Sequence, residues 1–173
     1  MKRNRISLAC LVALVLAFAA SPASAELTDL EQLGKDLFFD TNLSTPAGQS
    51  CAACHDPTTG WVGPVSEINA HGAVYPGASH TRFGNRKPPS AAYASFSPPF
   101  HWDEEEELYI GGVFWDGRAD DVAEQAKGPF LNPVEQNNPQ KRNVIIKILR
   151  SDYQDDFKAL YAMWWMDQMM DDM

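Results

Sequence analysis

Cys51, Cys54 and His55 stand together in the run CAACH, in a chain of 173 residues that has three cysteines. Zinc needs four tetrahedral ligands and the run supplies at most three. There is no second cysteine pair, and only His71, His80 and His101 are left to complete such a site. A thioredoxin-like redox pair needs a βαβ setting, and the flanks carry no strand pattern. A plain Cys51–Cys54 disulfide leaves His55 without a purpose. Covalent haem accounts for all three residues. Two thiols three positions apart on a helical turn reach the two vinyl groups of one porphyrin, and the next residue, His55, projects its imidazole to the iron as proximal ligand. The run therefore reads as an attachment site for one covalent haem c.

The N-terminus agrees with that chemistry, because such attachment follows export. Lys2, Arg3 and Arg5 precede an apolar run from Ile6 to Ala20, and Ala23 and Ala25 form an A-x-A cleavage site. This is the pattern of a signal peptide over residues 1–25, with a periplasmic product. The apolar run is short against the roughly 20 residues of a membrane span, so no stable membrane anchor is expected. Cys10 lies inside the signal, too early in the run for a lipoprotein site. Cleavage after Ala25 leaves 148 residues, about one domain, and removes three basic residues, which takes the formal charge from −9 to −12. That charge disfavours nucleic acid and anionic lipid and favours a basic protein partner. The two remaining cysteines both belong to CAACH, so the fold is not a disulfide scaffold.

Short helices must position the haem site. In TDLEQLGKDLFF, Thr28 and Glu31 form a capping box, and Leu30, Leu33, Leu37 and Phe38 share a face. A turn at TPAGQS leads into CAACH. From Asp56 to about Trp102 the chain is rich in Gly, Pro, Ser and Asn and has no sustained period. A loop of that length needs a function, and wrapping a large apolar cofactor is one. DDVAEQAK is helical, with Gly128-Pro129 expected to stop it. Asn138 as cap and Pro139 at the first helical position open a helix with Val144, Ile145, Ile148 and Leu149 as its buried stripe. A last helix in DYQDDFKALY presents Tyr153, Phe157, Leu160 and Tyr161. The fold class is all-α: a cytochrome c-like haem domain over 26–162, with short helices and long irregular loops around one haem. Residues 163–173 form an atypical Met/Trp/Asp tail, read as an apolar helix end or a mark of truncation.

Several segments together resemble the N-terminal haem domain of the bacterial dihaem cytochrome c peroxidase and MauG family. They are LGKDLFFDTNLS, SCAACHDP, GNRKPPS, FWDGRADDVAEQAKGPFLNPVE and DYQDDFKALY. FWDGR followed by EQAKGPFLNPVE is the most specific of them. The resemblance implies a peroxidase-type oxidoreductase that reduces hydrogen peroxide with electrons from a small cytochrome c or cupredoxin. In the family those electrons enter through a second haem domain. With one Cys-x-x-Cys-His run before Met173, the expectation is half of such an enzyme.

The family match also implies roles for single residues. His80 takes the position of a distal iron ligand, with His71 and His101 as competitors. Trp115 takes that of an electron relay between two haems, and Glu135 that of the distal acid. Peroxide must lose a proton from one oxygen and gain one at the other, and a carboxylate is apt for that transfer. Asp116 and Arg118 read as a structural ion pair or a propionate contact. The family often has an asparagine calcium ligand where Tyr93 stands here, which leaves calcium open. The acidic run Asp103–Glu107 reads as a solvated loop or as a docking patch for a basic donor. Met163, Met166, Met169 and Met170 offer thioethers but read more simply as an apolar helix end. The rival functions are a plain electron-carrier cytochrome c and a MauG-like oxidase acting on a protein side chain.

Overall fold

The computed structural model describes residues 26–161. The expected signal peptide at 1–25 and the tail at 163–173, with its five methionines, lie outside the described residues. Helix α1 spans Asp29–Phe39 and begins as its capping box requires. The Glu31 N–H donates to Thr28 Oγ1 at 3.3 Å, and the Thr28 N–H donates to Glu31 Oε2 at 2.8 Å. Only Leu33 of the expected apolar face is buried. Leu37 and Phe38 are half-buried, and Leu30, one turn earlier, is exposed, because nothing in 26–161 packs over the first turn.

Asp40 ends α1 and caps a 3₁₀ turn at Thr41–Leu43, whose Leu43 is fully buried. Helix α4, Lys141–Ile148, packs on that turn and contributes Val144 and Ile148. Phe157, on a final helical run over 154–161 (α5), completes a core of Leu33, Leu43, Val144, Ile148 and Phe157. Burying each such side chain is worth about 1.5–3 kcal/mol, and together they form one small apolar centre at this end of the domain. The expected stripe holds, with Ile145 and Leu149 partly buried against the same cluster.

Three expectations are corrected. Helix α3, Val122–Leu131, starts at its Asp121 cap but runs through Gly128 and Pro129 rather than stopping there. Gly128 instead lets the Phe114 ring come close, since a Cβ at 128 would lie 3.3 Å from it. Asn138 is not a cap: α4 begins after Gln140, and the Asn138 amide is buried as a cross-link. Its Nδ2 donates to the Leu43 and Phe130 carbonyls at 2.7 and 2.9 Å, and its Oδ1 accepts from Lys147 at 2.9 Å. The fold is also not purely helical. His101–Asp103 (β1) and Leu108–Ile110 (β2) form an antiparallel hairpin with Trp102 opposite Tyr109.

The long segment after CAACH is irregular as expected, with one short helix, α2, at Ser66–Ala70. No residue from 79 to 118 is buried. Backbone bonds rather than packing hold this part of the chain. The Ala91 N–H donates to the Trp61 carbonyl at 3.1 Å and the Val113 N–H to the Ala119 carbonyl at 2.8 Å.

Candidate haem site

The thiols sit on a 3₁₀ turn, Cys51–Ala53, that follows buried Ser50. The Cys51 carbonyl accepts from both the Cys54 and His55 N–H groups, at 3.1 and 3.0 Å. This double acceptance closes the turn and sets the spacing of the three functional side chains. Both cysteines are unpaired and half-buried. Burial first, and then the charge of Glu135, push each thiol up to about 11. The thiols are therefore neutral near pH 7.

His55 Nδ1 lies 3.2 Å from the Trp61 carbonyl. A carbonyl only accepts, so Nδ1 carries the proton and donates it, leaving the Nε2 lone pair free for a metal. The loop 56–62 is folded to deliver that carbonyl. Asp56 Oδ1 accepts from the Thr58 N–H at 2.7 Å, the Asp56 carbonyl from the Trp61 N–H at 2.8 Å, and Trp61 adopts a φ of 63°. Its indole meets the Phe38 ring of α1 edge-on at 5.5 Å, which ties the loop to the first helix.

Glu135 is half-buried on the turn after α3. Asn132 Nδ2 donates to its Oε2 at 2.6 Å, and its backbone carbonyl accepts from the Ala78 N–H at 2.7 Å. Burial raises the Glu135 pKa, opposed by the Asn132 hydrogen bond and by the Arg118 guanidinium. The Glu135 carboxylate in turn adds to the rise of both thiols. The bond at Ala78 holds the 77–80 segment against it, and Gly77 makes that approach possible: a Cβ there would stand 2.5 Å from the Val134 carbonyl. His80, two residues beyond Ala78, is exposed.

The other sequence candidates are spread out. His71 is turned onto its own helix, with Nδ1 donating to the Glu67 carbonyl at 2.8 Å and 3.3 Å from the Glu67 carboxylate. His101 Nδ1 donates to the Pro99 carbonyl at 2.7 Å on the hairpin. Trp115 is exposed, with the Arg86 guanidinium 5.8 Å from its ring centre. Asp116 and Arg118 do form an ion pair, 2.6 Å long, and the hydrogen bond from Arg118 holds the Asp116 carboxyl below its usual range. The Arg118 guanidinium also lies 3.6 Å over the Phe114 ring. Tyr93 is exposed with φ 62°, its ring against Phe96.

Sequence reasoning missed Gln49 and Gln136. Gln136 is buried, its Nε2 3.6 Å from Cys51 Sγ and its Oε1 without a partner. Gln49 Nε2 donates to the Pro76 carbonyl at 2.9 Å, and its Oε1 is equally unpartnered. Buried carbonyl oxygens rarely stay unpaired, and one of these belongs to a side chain that touches Cys51. Asn132 was missed too, although an Asn-Pro pair three residues before Glu135 marks a turn that aims its amide there.

These residues fit haem c. Among the described residues no group of three or more His, Cys, Asp or Glu could hold a metal ion. A porphyrin brings its own four nitrogens and asks the chain only for an axial imidazole and two thiols. No helix of the described residues is long and apolar enough to cross a membrane.

The chain matches the family described as di-haem cytochrome c peroxidase over residues 28–173. It is 42% identical over 163 residues to the methylamine utilization protein MauG of Paracoccus denitrificans, covering 91% of this chain and 41% of that one. It is 36% identical over 107 residues to the cytochrome c551 peroxidase of Pseudomonas aeruginosa, covering 62% and 25%. The crystal structure of the diheme peroxidase BthA from Burkholderia thailandensis superposes with a TM-score of 0.70 at 36% identity, covering 79% of this chain and 33% of that one. The chain therefore spans less than half the length of these relatives.

Proposed function

The chain belongs to the di-haem cytochrome c peroxidase family, and from that membership we propose that it is a periplasmic c-type haem protein that reduces hydrogen peroxide with electrons from a small redox protein. Cys51 and Cys54 would hold the haem covalently, and His55 Nε2 would bind its iron. Haem bound there supplies the redox chemistry and a Lewis-acidic iron for peroxide. The chain's residues supply the rest. Trp61 fixes the His55 tautomer through its carbonyl and increases the basicity of Nε2. Glu135 accepts a proton from one peroxide oxygen and returns it to the other as that oxygen leaves as water. Asn132 orients the carboxylate for that transfer. His80 would bind the iron at rest and gate access to it, and Trp115 would relay electrons from a second haem domain.

The observation that carries this reading is the position of Glu135, anchored at Ala78 and Asn132 and next to Gln136, whose Nε2 lies 3.6 Å from Cys51 Sγ. The test is Glu135→Gln, which keeps size and polarity but removes the base. Haem content and the resting spectrum should be unchanged, while the peroxide reaction slows at least about tenfold, the cautious end of what a positioned acid–base group contributes. Reaction at the parent rate would overturn the assignment.

The alignment with MauG over 91% of this chain favours a second reading, oxidation of a side chain on a partner protein. The two separate by product. Peroxide consumption matched by oxidation of a reduced donor supports the first, and a mass change on a co-incubated protein supports the second.

A further inference from the structure

We propose that the hairpin 101–110 is a docking surface for a small basic protein whose lysines ring an apolar contact. The hairpin carries two features side by side. Strand residues two apart share a face, and directly opposed residues face the same way. Phe100 and Trp102 therefore stand together with Tyr109, the cross-strand partner of Trp102. Phe100 and Tyr109 stack at 5.2 Å with planes 8° apart, and Trp102 meets Tyr109 edge-on at 5.1 Å. This small aromatic platform is exposed, Tyr109 to 63%.

The tip adds charge. Asp103 spends its carboxylate on the turn, with Oδ1 accepting from the Glu105 and Glu106 N–H groups at 3.0 and 2.8 Å. That leaves Glu104 to Glu107 as consecutive exposed carboxylates, and among the described residues no lysine or arginine pairs with any of them. Adjacent uncompensated charges of one sign repel each other, and a cationic surface relieves that repulsion. An aromatic centre beside a charged rim is the pattern in which charge steers encounter and desolvated rings hold the complex.

The surface is rigid at its root. A side chain at Gly117 would strike the Phe100 ring, and the Gly112 N–H donates to the Pro98 carbonyl at 2.7 Å. The hairpin is thus seated on the turn that carries Trp115. The inference rests on the hairpin's own residues and stands whether or not the peroxide chemistry above is correct.

The test measures binding without peroxide. The haem-loaded protein is titrated with a lysine-rich mitochondrial-type cytochrome c, and with the same probe after succinylation of its lysines. Binding should be present at low ionic strength, weaken at least about tenfold between roughly 20 and 200 mM salt, and vanish with the succinylated probe. The variant E104Q/E105Q/E106Q/E107Q should bind at least about tenfold more weakly and lose most of its salt dependence. W102S/Y109S should keep the association rate and dissociate several-fold faster. Carbodiimide cross-links should map to Glu104–Glu107. Parent-like binding by the four-glutamine variant would overturn the proposal, as would no binding by the parent. Self-association through the aromatic platform, seen by sedimentation and abolished in W102S/Y109S, would overturn it in favour of a second copy as occupant.

Discussion

His55 Nδ1 lies 3.2 Å from the Trp61 carbonyl, six residues along the chain, so one backbone oxygen decides which ring nitrogen is free. Because that acceptor is main chain, no side-chain substitution in the loop abolishes it directly. In the haem-loaded protein labelled with ¹⁵N-histidine, His55 Nδ1 should therefore appear as a protonated nitrogen with a slowly exchanging proton. A deprotonated Nδ1 signal would contradict the arrangement.

Gly77 gives a sharper mutational test. A Cβ there would stand 2.5 Å from the Val134 carbonyl and 2.8 Å from that of Glu135, both backbone atoms that cannot swing away. Gly77→Ala should destabilise the fold by about 1–3 kcal/mol, the usual cost of overpacking, and slow the peroxide reaction by displacing Glu135. Gly34 is the control. It lies inside α1 with nothing within 4 Å of its Cβ position, so Gly34→Ala should gain up to about 1 kcal/mol. Thermal unfolding of the two variants checks both signs.

What the sequence revealed was local. Thr28 and Glu31 are three residues apart and their capping box is complete in the fold. CAACH contains its own turn. What stayed hidden depends on partners distant in sequence. Asn138 reads as a helix cap beside Pro139, yet its amide is spent on Leu43, 95 residues away. Gly128-Pro129 reads as a stop, yet the glycine serves Phe114 and the helix continues. The hairpin escaped because its strands are three residues each and a run of glutamates fills the turn. Gln136 carries no pattern at all, and only its burial beside Cys51 singles it out.

Asn138 and Lys147 together close the helical end. The Lys147 ammonium donates to Thr45 Oγ1 at 2.8 Å, Asn138 Oδ1 at 2.9 Å, the Leu43 carbonyl at 3.3 Å and also the Ser44 carbonyl. Asn138→Ala removes four hydrogen bonds, those from Nδ2 to the Leu43 and Phe130 carbonyls and those that Oδ1 accepts from Lys147 and Thr45. Each is worth about 0.5–1.5 kcal/mol net, so a loss of at least about 2 kcal/mol is expected in chemical denaturation. A change below 0.5 kcal/mol, roughly the surface-substitution range, would show the cross-link to be dispensable.

Removing the cofactor should act unevenly. The core of Leu33, Leu43, Val144, Ile148 and Phe157 draws nothing from 56–112, where no residue beyond 78 is buried. Preventing attachment with Cys51→Ala/Cys54→Ala should open 56–102 to protease first, while the haem-loaded chain resists and shows one haem adduct by mass. Equal cleavage rates in the two forms would remove the argument that the loop depends on haem.

Glu135 makes opposite demands on function and stability. Burial raises its pKa above the ordinary carboxylate range, and only the ionised form accepts a proton. As pH falls, the peroxide reaction should therefore decline at a higher pH than an exposed glutamate, near 4.3, would give, and Glu135→Gln should lack that limb. Stability runs the other way. A carboxyl with a folded pKa above its unfolded value binds more protons when folded, so its favourable contribution is complete below the unfolded pKa and is lost as pH rises through the folded one. The parent and Glu135→Gln should then be equally stable in acid, and the variant more stable near neutrality, where the parent keeps a half-buried charge. Unfolding measured from about pH 4 to 8, alongside the peroxide reaction, checks both. If the acid limb of the reaction survives in Glu135→Gln, another group carries the proton. If the stability difference does not grow with pH, Glu135 is not held in the environment described for it.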